Sequence, residues 1–416
     1  MYHLIDKLQI TEIIIASKKF SKKKRDTLYK KLINKNVRIK NVSSLKNKKN
    51  IIEKTLEAKP SFFDIINRTK IDVSKSVLEK KIKNKSILVT GGGGSIGSNL
   101  CLEILKHYPK QIYILDNSEL NLFNIKNKIF SENKMYKNNA KFILGDFGDI
   151  NFLRAKFKSL IIDEIYHAAA YKHLEFGEEN SYSIIKNNIF STENLLKYVK
   201  EKKIKNFTFI SSDKAVNPTS MLGITKKIGE MMVKYSMHDK YKESTKFTIV
   251  RFGNVIGSSG SVIPIFLKQV SQQKILTVTH KNVERYFMSI SEAVQLVINS
   301  SYLNEGGFKI FALDMGDQIK IYEIARRIIS LSGYTLKNHQ NKYGDVQIKI
   351  TGLKRGEKIS EELSLGKNLR PSKNSKILIC DDDFEIKNLK RSLNILRNKI
   401  ENKVVSYKEI NKLISS

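Results

Sequence analysis

Apolar residues recur along most of the chain in runs of five to seven, each followed by a longer stretch with helical spacing. The runs are 86–90 (SILVT), 111–116 (QIYILD), 141–146 (KFILGD), 164–169 (EIYHAA), 206–212 (NFTFISS) and 246–252 (KFTIVRF). They are rich in β-branched and aromatic side chains and read as buried strands. Helical patterns fill the intervals at about 96–107, 118–132, 181–202 and 219–237. This alternation predicts an α/β chain with a Rossmann-type, doubly wound parallel sheet. Ahead of it, 10–16 (ITEIIIA) and 36–41 (NVRIKN) read as strands around a lysine-rich helical stretch at 18–35. That is a βαβ fragment, too short to be a domain. Residues 43–60 read as a polar linker and 61–85 as the approach to the main sheet. The expected organisation is therefore an N-terminal fragment and linker (1–60) and a nucleotide-binding domain (61–252). A smaller mixed substrate-binding part (253–370), interleaved with that domain, and a helical extension (371–416) follow.

Composition narrows the classes. Of 416 residues, 41% are apolar, with 20 Phe and 17 Tyr, which is enough for a sizeable core and excludes a disordered chain. Two cysteines, Cys101 and Cys380, lack metal or disulfide-framework spacing and point to a reducing compartment. No apolar run reaches the length of a membrane span and no secretory pattern opens the chain, so a cytoplasmic location is expected. The net charge of +34 invites a nucleic-acid reading. Lysine is spread along the whole chain, however, and no nucleic-acid-binding motif stands out. Solvated lysine faces are the expectation, with peripheral attraction to an anionic inner-membrane surface as the alternative.

The first strand runs into Thr90-Gly91-Gly92-Gly93-Gly94-Ser95-Ile96-Gly97 and a helix follows. Gly91 allows a tight turn, Gly94 a close approach of backbone to a pyrophosphate, and Gly97 close packing of helix on strand. The helix N-terminus, opened by Ser95 and Ile96, then stabilises phosphate charge. Asp116 ends the second strand, where an acid binds both ribose hydroxyls and repels a 2′-phosphate, so NAD is expected over NADP. Asp146 either contacts the adenine edge or caps its own loop. Ala168, Ala169 and Ala170 end the fourth strand with side chains small enough to leave room for a cofactor. No histidine–carboxylate set resembles a metal site.

Six segments carry a resemblance: TGGGGSIGSNL, HAAAYKHLEF, SSDKAVNPTSMLGITK, RFGNVIGSSGSVIPIF, VTHKNVERYFMSISEAVQLV and TGLKRGEKISEEL. Their order resembles that of the UDP-N-acetylglucosamine 4,6-dehydratases of the CapD-like polysaccharide-biosynthesis type, which are extended short-chain dehydrogenases/reductases. The resemblance covers about residues 60–365. The 10–41 fragment resembles the tail of the domain preceding the catalytic part in long, membrane-anchored members. This chain lacks their transmembrane helices, and is either a naturally short form or a truncated one. The resemblance implies self-association and a UDP-sugar substrate. It implies that Lys226 holds the nicotinamide ribose, Asp213 is the general acid at C6, Lys214 the base at C5, and Ser212 a contact of the C4 hydroxyl. The family's short members place a tyrosine at position 222, and the long ones an apolar residue, commonly Met; here it is Leu222, an apolar wall. Outside the family context, Asp213 and Lys214 read equally well as a helix cap and a solvated lysine.

On the substrate side, Lys172 (beside His173), Asn254, Arg285, Arg355 and Glu357 match family positions. The arginines read as diphosphate binders or as solvated surface. Two departures are visible: Glu284 stands where the family often has Thr, and Lys354-Arg355-Gly356 replaces Arg-Pro-Gly. An acid–base pair at 213–214 favours dehydration over 4-epimerisation and over a catalytically silent NAD-binding scaffold.

Overall fold

The computed structural model describes residues 75–415 apart from 238–244, 259, 273–274, 367–368 and 403–404, together with two strands and isolated positions earlier in the chain. The expected linker at 43–60, and most of the helical stretch at 18–35, lie outside the described residues. The chain divides into two compact units, one of 72–258, 288–316 and 354–416, the other of 1–71, 259–287 and 317–353.

The larger unit is built on a nine-stranded sheet. Its strands are β1 (Ser86–Thr90), β2 (Gln111–Asp116), β3 (Ala140–Leu144), β4 (Glu164–His167), β5 (Asn206–Ile210), β6 (Lys246–Arg251), β7 (Phe308–Leu313), β8 (Leu369–Pro371) and β9 (Ile377–Cys380). The order is 8-9-7-6-5-4-1-2-3. The seven strands from β3 to β7 are parallel, and β9 and β8 complete that edge by antiparallel pairing. The order reverses between β1 and β4, which is where open α/β sheets place ligands. Every residue of β1 is buried, as a central strand covered on both faces requires.

The helices that matter to the site are α1 (Ser95–Leu105), α2 (Glu119–Glu132), α3 (Ser191–Glu201), α4 (Met221–Met237) and α5 (Ile290–Leu303). α5 begins with a capping box in which Ser289 and Glu292 satisfy each other's backbone N–H groups. α4 has Ile224, Ile228 and Val233 fully buried, and Glu178 accepts the N–H of buried Met221 at its start at 2.6 Å. The helical pattern at 181–202 is interrupted by one π-helical turn, Lys186–Phe190. No helix among the described residues is long and apolar enough to cross a membrane.

In the smaller unit, Glu12–Ile15 and Arg38–Asn41 pair in parallel, as the βαβ reading requires. Ile5, Ile15, Leu28, Leu32 and Val37 form a small core beside them. The helix Ile321–Leu331 buries Ile321, Ile324, Ala325, Ile328 and Ile329, one face at helical spacing. Ile275–Val278 pairs in parallel with Val346–Ile350, which pairs with Leu336–Lys337.

Candidate active site

The glycine loop joins β1 to α1. Gly91 has φ +64°, and a Cβ there would lie 2.6 Å from the Ala169 Cα, so backbone packs on backbone and only glycine fits. A Cβ at Gly97 would collide with the carbonyl oxygen of Gly91, which is why α1 can seat so close to the strand. Gly94 differs: a Cβ there meets only the Gly91 oxygen, at 3.2 Å. Protein packing does not demand glycine at 94, and the open space above it lies at the N-cap of α1, which has no side-chain cap. This is a cradle that a Cβ would fill, at a helix N-terminus, where first-turn N–H groups have no carbonyl one turn earlier in the helix, and it fits a pyrophosphate.

Asp116 is buried at the end of β2. One of its oxygens accepts Gly93 N–H at 3.0 Å and the other Ser118 N–H at 2.9 Å. It therefore ties the glycine loop to the second strand, and each oxygen keeps a lone pair for a ribose hydroxyl. Asp146 is exposed and accepts Gly148 N–H at 2.7 Å, closing its own turn. That is the loop-capping reading.

A buried histidine stands behind the loop. Thr192 donates its hydroxyl to Asn188 O at 2.9 Å, so its oxygen accepts His167 Nε2–H at 3.0 Å. His167 Nδ1 then accepts from Thr90 Oγ1 at 2.7 Å. Burial, and secondarily the Lys226 charge, lower the His167 pKa to about 3, so the ring is neutral, as this tautomer requires. Asn188, in the π-helical turn, accepts Tyr171 N–H at 2.9 Å and donates to Tyr171 O at 3.0 Å and to Thr225 Oγ1 at 3.2 Å. It fastens the loop after β4, which holds Ala168 to Ala170 and the exposed Lys172, to the helix that carries Lys226. A π-turn at such a place is a frequent mark of a functional site.

The turn after β5 carries the chemistry. Asp213 is fully buried; its Oδ1 accepts Ser212 Oγ–H at 2.8 Å and Lys214 Nζ–H at 3.0 Å. Its Oδ2 is buried with no hydrogen-bond partner. A lone carboxylate oxygen out of water is costly and needs either a proton or a ligand. Lys214 Nζ also lies 3.4 Å from Asn254 Oδ1 and 3.5 Å from Glu361 Oε1. Lys226, one helical turn beyond the buried Leu222, donates to Ile210 O at 2.8 Å and sits 4.8 Å from the centre of the Phe209 ring. Burial brings its pKa down to about 8, against a smaller opposing effect of Glu230.

Two structures hold this turn. Beneath it, Arg251 donates to Glu230 through Nε at 2.8 Å and Nη2 at 2.6 Å, and its Nη1 reaches Asp382 and Leu363 O. Ser211 donates to Glu230 at 2.6 Å. Burial alone would lower the Arg251 pKa; Glu230 and Asp382 hold it above its ordinary value. Over the turn runs the 354–362 segment. Lys358 donates to Val216 O at 2.8 Å, Thr219 donates to Gly356 O at 2.9 Å, and Asn217 donates to Glu362 at 2.6 Å.

The structure thus brings Ser212, Asp213, Lys214 and Asn254 together, and holds Lys226 on the carbonyl of Ile210, at the end of the strand that leads into this turn. Arg355 is mostly exposed, with Nε 3.5 Å from Glu178, and Glu357 accepts Lys354 N–H at 3.0 Å. Arg285 lies in the smaller unit, buried, donating to Glu284 O at 2.7 Å. Sequence reasoning passed over His167, Asn188, Glu230, Arg251, Asp382, Lys358 and Glu361. The double glutamate in KISEEL is the one local signal for the last of these.

A parallel sheet of this order, a TGxxGxxG loop at its switch point and a lysine one turn into the helix after β5 define an extended short-chain dehydrogenase/reductase. The Polysaccharide biosynthesis protein family matches residues 87–381, and the chain belongs to that family. It is 37% identical to the capsular polysaccharide biosynthesis protein CapD of Staphylococcus aureus over 88% of this chain, and spans 59% of that relative's length. It is 31% identical to a UDP-N-acetylglucosamine 4,6-dehydratase (inverting) of Campylobacter jejuni, covering 67% of this chain and 76% of that one. It is 30% identical to a UDP-glucose 4-epimerase of Rickettsia bellii, covering 67% and 77%. Among solved structures, Pen from Bacillus thuringiensis superposes with a TM-score of 0.63 at 28% identity, over 76% of this chain and 98% of that one.

Proposed function

We propose that the chain catalyses the NAD-dependent 4,6-dehydration of UDP-N-acetylglucosamine to a UDP-4-keto-6-deoxy sugar, for surface polysaccharide assembly. The observation that carries this reading is the unpartnered Oδ2 of fully buried Asp213 beside Lys214 Nζ. A 4-epimerase has no use for such an acid–base pair.

NAD, when bound, would supply the hydride acceptor for C4 and the hydride donor for C6. Gly91, Gly94 and the α1 N-terminus would hold its pyrophosphate, Asp116 its adenine-side ribose and Lys226 the nicotinamide ribose. Ser212 receives the C4 hydroxyl proton and passes it along its hydrogen bond to Asp213. With C4 a ketone, the C5 proton is acidic. Lys214, neutral at that moment, takes that proton on its lone pair. The C5–H electrons form the C5–C6 double bond, and the C6–O bond breaks, the oxygen leaving as water with the Asp213 proton. The Lys214 ammonium then returns a proton to C5. Atoms balance: one water leaves, and the sugar has lost a hydroxyl at C6 and gained a ketone at C4.

The test is incubation with UDP-N-acetylglucosamine in deuterated water, read by mass spectrometry and proton NMR. Loss of one water with deuterium at C5 is the expected result. An unchanged mass with a new C4 epimer would replace this reading with epimerisation, and unaltered sugar would refute it for this substrate.

A further inference from the structure

Lys214 must lose its proton before it can take one from C5, yet two carboxylates adjoin it. Asp213 Oδ1 is 3.0 Å from Nζ and Glu361 Oε1 is 3.5 Å. Glu361 is 3% exposed and comes from the 354–362 segment, far along the chain from the catalytic turn. Once Asp213 carries the proton it gives to the departing water, it is neutral, and Glu361 still presents a negative charge to Lys214 at 3.5 Å. Glu361 in turn has Lys358 Nζ 3.6 Å from its second oxygen. Lys358 is anchored to Val216 O at 2.8 Å, so that cation is held in place. Among the groups facing the two residues are Asp213 and the uncharged Asn254 on Lys214, and Lys358 on Glu361.

Resting on the dehydratase reading, we infer that Glu361 is a positioning residue that stabilises the Lys214 ammonium formed when the C5 proton moves, with Lys358 tempering its charge. A fixed carboxylate aimed at a charge that develops in the transition state lowers the barrier. The same carboxylate makes Lys214 a stronger base, since base strength rises with pKa. Lys358, 3.6 Å from the second oxygen of Glu361, opposes that effect. No covalent step is added; the proton moves from C5 to Lys214 and back.

The test compares Glu361→Gln and Lys358→Met with the wild-type chain. Turnover requires neutral Lys214, so kcat rises with pH through the Lys214 pKa. Removing the Glu361 charge lowers that pKa, and the rising limb moves to lower pH by about half a unit or more while the plateau of kcat falls. Removing the Lys358 charge moves the limb to higher pH. A merely structural role would reduce kcat in both variants without opposite displacements. Independently of turnover, Lys214 is titrated by NMR after reductive methylation with 13C-formaldehyde, its signal identified by its absence in Lys214→Arg. The same opposite shifts are expected there. A limb and a titration unmoved, or moved alike in both variants, would overturn the inference. If Glu361→Gln does not fold, Lys358→Met decides alone, and an unmoved or acid-shifted titration refutes the role. Failure of wild-type protein to dehydrate any UDP-sugar would sink the dehydratase reading, and the NMR titration would still decide between Glu361 as charge partner and Glu361 as packing.

Discussion

Lys226→Met should make the NAD-free protein more stable. An ordinary lysine titrates near 10.5, whereas burial brings Lys226 down to about 8. At ~1.4 kcal/mol per pH unit between those values, holding the charge in the interior costs on the order of 3 kcal/mol. Methionine keeps the apolar stem against Phe209 and removes the charge, but leaves Ile210 O without its donor, a loss of about 1–2 kcal/mol. The net gain is about 1–2 kcal/mol, or roughly 1–3 °C in Tm for a chain of this size. The sign with pH is fixed. Below pH 8 both folded and unfolded chains are protonated at this lysine and the full cost is present. Between 8 and 10.5 the unfolded chain binds more protons, so wild-type stability rises with pH and the advantage of the variant shrinks. Scanning calorimetry of both proteins from about pH 6 to about pH 9.5 measures the gap, in which other titrations cancel. A variant less stable than wild type at neutral pH, or a gap independent of pH, would refute the reasoning. The same variant should lose NAD affinity, because on the proposed reading the ammonium is kept in the interior for the ribose it holds.

Lys214→Ala should retain NAD and substrate binding by calorimetric titration and lose product formation by about 10²-fold or more, the usual worth of a general base. Gly91→Ala and Gly94→Ala should separate fold from cofactor. The first strains a backbone at φ +64° against Ala169 and should cost about 1–3 kcal/mol in denaturant melts, whereas the second leaves stability near wild type and weakens NADH binding by fluorescence. Glu230→Gln removes the two-point partner of buried Arg251 and leaves its charge to Asp382 alone, which should cost about 1.5–3 kcal/mol, read as a lowered urea midpoint.

Which features were legible follows from whether their determinants are contiguous. SILVT and QIYILD are uninterrupted apolar runs bounded by turn residues, and they match β1 and β2 residue for residue. KFILGD was read too far: β3 ends at Leu144 because Asp146 turns the chain onto Gly148 N–H. β7, β8 and β9 went unassigned. The last two strands are three and four residues long, and β8 carries Arg370 and Pro371, so neither shows a period. The glycine loop and SSDK turn could be read because each is one local motif. Glu361, Arg251 and Asp382 could not, because only the tertiary fold brings their segments under and over the turn. The same holds for Asn188: KNNIF looks like any helical stretch until its side chain is seen clamping both Tyr171 and Thr225.

Leu222 then becomes informative rather than a defect. It is buried in the first turn of α4. Gly223 beside it lets that helix close onto the carbonyl oxygen of Lys214, where a Cβ would collide. A tyrosine at 222 would serve to hold the proton of the oxidised hydroxyl. Epimerisation needs such a holder, since the proton must wait and return to the same oxygen. On the proposed reading, dehydration does not: the C4 hydroxyl proton and the C6 hydroxyl leave together as water, and the C5 proton returns to C5. The connection from Ser212 Oγ–H to Asp213 Oδ1 at 2.8 Å gives that proton a direct route to the residue that must be protonated next. On this reading an apolar side chain at 222 removes nothing that dehydration requires, because Ser212 and Asp213 take the C4 hydroxyl proton in its place.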